Sequence, residues 1–248
     1  MELAVRWPIF WLMLRQYRAG KATWATIGFA ALPVLLAALY RVGTSTNPPR
    51  VFLSGLYLNL LAPTIVPLGA LILATTALGN EIEDRTLVYL TLKPLARARI
   101  VLAKYLAALL SGGAFFALGA WATWLVAGVG RGEPLGWRSL IALLVAVVAG
   151  VAGYGALFLL VSLIAPRALL IGIVYILIWE TTLARFITSL RFASVRYYAA
   201  SLYPRLLDDV AAPTGDTARV GVALAVLVVL VVAALALATW RLGRMDLD

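Results

Sequence analysis

The sequence predicts an all-α integral membrane protein. It has six transmembrane helices, an amino-terminal amphipathic elbow helix, a cytoplasmic helix between the second and third spans, and short interfacial or re-entrant helices between the fifth and sixth. Three observations predict this. Of 248 residues, 63% are hydrophobic and 13% charged, so the polar surface that a water-soluble domain of this length requires is missing. The apolar residues form runs able to cross about 30 Å of hydrocarbon. The 21 Lys and Arg outnumber the 11 Asp and Glu, but they cluster at the ends of those runs. No single basic face results, which argues against nucleic acid as a partner.

Residues 1–22 predict the elbow. Val5, Ile9, Leu12, Met13 and Tyr17 fall near one helical face and Arg15 and Arg18 fall opposite, the pattern of a helix lying in a membrane interface. Trp7 and Trp11 suit headgroup depth. Charges interrupt the apolar part, which argues against a cleavable signal peptide; the alternative is a cytoplasmic extension of the first span. That span, residues 24–40, carries Pro33. The turn-rich TSTNPPR of residues 44–50 leads to the second span, residues 52–78, with Pro63 and Pro67 and the polar Asn59, Thr64, Thr75 and Thr76. The two prolines either make this helix a moving part or shape its packing.

The third span, residues 105–129, contains Gly112, Gly113 and Gly119, and the fourth, residues 140–165, contains Gly150, Gly153 and Gly155. Small residues at these spacings let helix backbones approach closely in lipid. The fifth span, residues 168–184, is short, with 12 uncharged residues before Glu180. Either Glu180 lies inside the membrane or the span continues to Arg185 with Glu180 near its end. Both options leave a carboxylate at or near membrane depth, where ionisable groups are costly and so are functional candidates. A Glu at headgroup level, neutralised by Arg185 or Arg191, is the purely structural alternative. Residues 185–210 mix aromatic and basic side chains, too polar to span and too aromatic for a free loop, so external interfacial or re-entrant helices are expected there. Residues 220–240 are almost pure Ala, Val and Leu, closed by Arg241 and Arg244, and form the sixth span. The excess of basic residues at the amino end, in the loop after span 2, at Arg167 and at the tail places both termini in the cytoplasm by the positive-inside rule.

His and Cys are both absent, which removes the commonest general base, the commonest metal ligand and every thiolate site. No catalytic, cofactor or metal residues are expected. The polar chemistry is concentrated instead between spans 2 and 3, where residues 81–104 read EIEDRTLVYLTLKPLARARIVLAK. From Glu81 to Leu92 there is no Gly or Pro, and Ile82, Leu87, Leu90 and Leu92 alternate with polar positions. That suits a short surface helix stopped by Pro94.

This stretch resembles the cytoplasmic signature of type 2 ATP-binding cassette (ABC) transporter permeases, with Glu81, Glu83, Thr86, Leu87, Pro94, Arg97 and Lys104 matching in order. Arg85 stands where many members have Gly. The six-span layout, the elbow and the YILIWE ending at Glu180 resemble the family too. The resemblance implies the permease subunit of an ATP-driven transporter, an exporter, in the cell's inner (plasma) membrane. It further implies pairing with a second permease, identical or homologous, and with two ABC ATP-binding subunits that carry ATP and Mg; the chain itself has no GxxxxGK[ST] phosphate loop. Residues 81–100 would be the coupling segment, with Glu81, Glu83, Asp84, Arg85, Thr86 and Leu87 meeting the ATPase. Substrate would pass along the dimer axis beside Asn59, Thr64, Tyr175 and Glu180. The alternative from another class is an ion-coupled secondary transporter using Glu180.

Overall fold

The computed structural model describes residues 8–43, 47–79, 96–129, 135–165, 167–184, 190–207 and 217–244. Among them there is no strand. Helix α1 (Pro8–Ala19) ends at Gly20, and α2 (Lys21–Val42) follows at once. Then come α3 (Pro49–Leu78), α4 (Arg97–Gly128), α5 (Trp137–Ile164), α6 (Ala168–Leu183), α7 (Val195–Leu206) and α8 (Val220–Arg244). Five of these, α2, α3, α4, α5 and α8, are long and apolar enough to cross a membrane. Helix α6 is shorter: seven residues of α-helix followed by nine in wider turns reach about 24 Å at most.

Helix α5 is the central element. It packs against α3, α4, α6, α7 and α8, while α2 lies on α4 and α1 on α4 and α2. The core runs along this axis through Val66, Leu71, Phe116, Val147, Val151, Phe158 and Leu227. Glycines of α4 and α5 let neighbouring helices approach closely: a Cβ at Gly119 would sit 2.4 Å from the Ala30 carbonyl oxygen of α2. At Gly153 a Cβ would stand 3.1 Å from both Leu227 of α8 and Val195 of α7. Gly113, by contrast, has nothing within 4 Å and serves no such contact.

Two departures from the sequence expectation stand out. Helix α4 begins at Arg97 rather than near residue 105, because nothing between Ala98 and Lys104 breaks a helix. In α1, Met13 and Tyr17 are buried but Leu12 is 62% exposed. The face that packs on α4 is one residue wide per turn, narrower than the expected stripe.

Helices α3 and α6 are not α-helical throughout. Tyr57–Ile65 and Thr75–Gly79 of α3, and Tyr175–Leu183 of α6, form wide i→i+5 turns. The residues explain this. Pro63 lies inside the first of these segments and Pro67 just after it, and each removes an amide donor from the α-helical ladder. In the other two, threonine hydroxyls compete for the ladder's carbonyls. Thr75 donates to Leu71 O at 2.8 Å and Thr76 to Ile72 O at 2.7 Å, while Thr181 and Thr182 both donate to Leu177 O, at 2.5 and 2.9 Å. The two prolines therefore widen α3, where the sequence alone had left their role open.

Candidate functional site

The expected coupling residues Glu81, Glu83, Asp84, Arg85, Thr86 and Leu87 lie outside the described residues. Both flanks of their segment are described, and the chain fixes both with side-chain hydrogen bonds. At the end of α3 the Lys104 ammonium, fully buried, donates to Ala77 O at 2.5 Å. A cation at the carbonyl end of a helix is favoured by the helix dipole and supplies a donor where the last turn has none. From α1, Tyr17 donates its hydroxyl to Leu73 O at 2.9 Å. At the start of α4, Arg97 donates to the carbonyls of Leu242, at 3.2 Å, and Gly243, closing the end of α8 in the same manner. One end of the bundle thus gathers the termini of α3, α4 and α8.

The second polar cluster lies deeper. Glu180, in the wide turns of α6, has no exposed surface. Its Oε1 accepts the Tyr175 hydroxyl at 2.9 Å and the Val195 amide at 3.2 Å, and its Oε2 accepts the Ser194 hydroxyl. The Arg196 guanidinium donates to the Glu180 main-chain carbonyl at 3.0 Å. The buried Tyr154 hydroxyl lies close to the same carboxylate. Ser194 is the N-cap of α7 and accepts the Tyr197 amide at 3.3 Å. Across from it, Tyr57 of α3 donates its hydroxyl to Ala199 O of α7 at 2.7 Å.

Of the four residues expected beside the pathway, the structure brings Tyr175 and Glu180 into direct contact and places Asn59 and Thr64 elsewhere. Asn59 is exposed, with its amide donating to Gly55 O at 3.0 Å, and Thr64 is half-buried. Thr64, Leu68, Ile72 and Thr76 are the half-exposed positions of the following turns, so they continue one strip along α3. Sequence reasoning missed Ser194, Tyr57 and Tyr154. Ser194 carried a legible signal, a Ser just before a helical run; an isolated apolar-flanked Tyr carries none. Among the described residues no group of His, Cys, Asp or Glu could hold a metal.

The family model of ABC-2 family transporter proteins matches residues 14–182, from α1 to the wide turns of α6 and over half of the chain. No curated protein matches it. Members of this family are transport permeases rather than enzymes, and membership implies association with ABC ATP-binding subunits. Membrane-length apolar helices agree with that assignment: the chain belongs to the ABC-2 family of transporter proteins, as a multi-pass membrane permease.

Proposed function

We propose that this chain is the permease subunit of an ABC exporter in the inner (plasma) membrane. It pairs with a second permease, identical or homologous, and is driven by two separate ATP-binding subunits that hold ATP and Mg. Six helices cross the membrane, with α6 as the fifth and α1 as the cytoplasmic elbow. The segment of residues 81–100 faces the cytoplasm. There Glu81, Glu83, Asp84 and Arg85 orient the ATPase, while Thr86 and Leu87 contribute the surface it grips. Nucleotide-driven closure of the ATPases then moves this end of the bundle as a rigid body.

The observation that carries the proposal is the pinning of the α3 and α4 ends by Lys104 and Ala77. A force applied to residues 80–95 reaches both helices at once, and α4 relays it to α8 through Arg97. Substrate passes along the exposed strip of α3 that carries Asn59 and Thr64. Tyr175 and Glu180 shape the neighbouring wall, with their polar groups bonded to one another.

The test is co-purification of the tagged permease with an ATPase subunit, followed by transport measurements with that ATPase inactivated. Transport that stops supports the reading; transport that continues overturns it in favour of an ion-coupled carrier. A cysteine placed at Asp84 in this Cys-free chain should be shielded from impermeant reagents outside the cell. Labelling from outside would invert the topology and remove any ATPase contact.

A further inference from the structure

We infer that Glu180 is a positioning residue that anchors the amino terminus of α7 inside the membrane, joining α6 and α7 into one broken helix. The argument starts from depth. Helix α6 is shorter than the membrane-length helices beside it, and α7 packs by its first turns against Gly150 and Gly153, in the middle of α5. A Cβ at Gly153 would meet Val195 at 3.1 Å, and one at Gly150 would meet Ala199 at 3.7 Å. The first amides of α7 therefore lie where no water competes for them, and a helix has no internal partners for its first four N–H groups.

The chain meets that demand with side chains. Ser194 takes the Tyr197 amide, and Glu180 takes the Val195 amide and the Ser194 hydroxyl. Glu180 is therefore acceptor to both the N-cap and the first residue of α7. Arg196, from the same turn of α7, reaches back to the Glu180 carbonyl, so each helix end supplies what the other lacks. Val195 and Ser194 are both 2% exposed, as such a junction requires. Tyr57, on α3, holds the next turn of α7 at Ala199.

What Glu180 contributes here is acceptor geometry and reach. Gln keeps an acceptor at Oε1, and its amide can donate to the Ser194 hydroxyl; Asp is one methylene shorter and loses contact; Ala offers nothing. This role differs from a proton-carrying or substrate-binding carboxylate, for which Glu180→Gln would be the severe change. It is also independent of which motor drives transport, so it can fail while the permease assignment stands.

The experiment uses the full chain in lipid vesicles with a single cysteine at Val195. It reads the rate of modification by a small water-soluble methanethiosulfonate reagent. A second set with the cysteine at Ala146, fully buried in α5, reports global loss of structure. Undocking of α7 exposes position 195 in proportion to the population that opens. With Glu180 intact, and in Glu180→Gln, the rates should agree to about threefold. Glu180→Asp and Glu180→Ala should rise about tenfold or more, with position 146 still protected. An unchanged rate in Glu180→Ala, or an equal rise in Glu180→Gln, overturns the inference. Should Glu180→Ala expose position 146 as well, Ser194→Ala decides. A faster rate at 195 alone supports the anchor, and no change refutes it.

Discussion

Replacing Gly119 by Ala should loosen the bundle, while the same change at Gly113 should not. A Cβ at Gly119 would lie 2.4 Å from the Ala30 carbonyl oxygen and 3.1 Å from its carbon, where ordinary contact begins at 3.4 Å. Both atoms are main chain and cannot swing aside, so α2 and α4 must separate by about 1 Å, enough to forfeit a quarter to a half of each interhelical dispersion contact. Overpacking of this kind costs about 1–3 kcal/mol, and the better helix propensity of Ala returns at most about 1 kcal/mol. After the full propensity gain the net loss is about 0–2 kcal/mol. Gly113 sits on the same helix with nothing within 4 Å, so Gly113→Ala keeps only the propensity gain of about 1 kcal/mol or less. Sodium dodecyl sulfate titration of the purified protein in mixed micelles, followed by tryptophan fluorescence, compares the two midpoints. A Gly119→Ala midpoint at or above that of Gly113→Ala would refute the backbone-contact argument.

Lys104→Met keeps the length of the stem but removes the donor to Ala77 O. The stranded carbonyl costs about 1–3 kcal/mol, partly offset because no ammonium is then buried. The same titration should show a midpoint about 1 kcal/mol lower, with Lys104→Ala lower still because it also leaves a void. Tyr57→Phe loses the bond to Ala199 O but keeps its ring against Tyr203 at 5.1 Å. Hydrogen–deuterium exchange should quicken across α7 by the equivalent of about 1 kcal/mol and stay unchanged in α5. Arg97→Gln withdraws the guanidinium from Leu242 and Gly243, so exchange should rise in the last turn of α8 and not in its middle.

The long apolar runs were legible because a run able to span lipid needs few rules beyond length, and α2, α3, α5 and α8 lie where the runs lie. Less legible was anything set by neighbours in space. Nothing from Ala98 to Lys104 breaks a helix, yet the sequence does not show that Arg97 opens it and bonds to the end of α8, 145 positions away. The prolines of α3 were visible, but the wide turns also depend on threonine hydroxyls choosing carbonyls. Glu180 stood out as a carboxylate in an apolar run, yet its partners Ser194 and Val195 lie 14 and 15 positions away in the chain, beyond any periodicity. The burial of Lys104 was equally hidden, since a Lys at a run's edge normally snorkels to water.

The brevity of α6 has a consequence for the surrounding lipid. A helix of about 24 Å beside neighbours of full length is shorter than the hydrocarbon it meets, while Glu180 itself is buried within the protein. Hydrophobic mismatch therefore acts unevenly on this molecule. With the Glu180 anchor inside the membrane, as inferred above, short-tailed lipids would bring headgroups and water closer to the first amides of α7 than long-tailed ones do. Acyl-chain length thus bears on one joint of the bundle more than on any other.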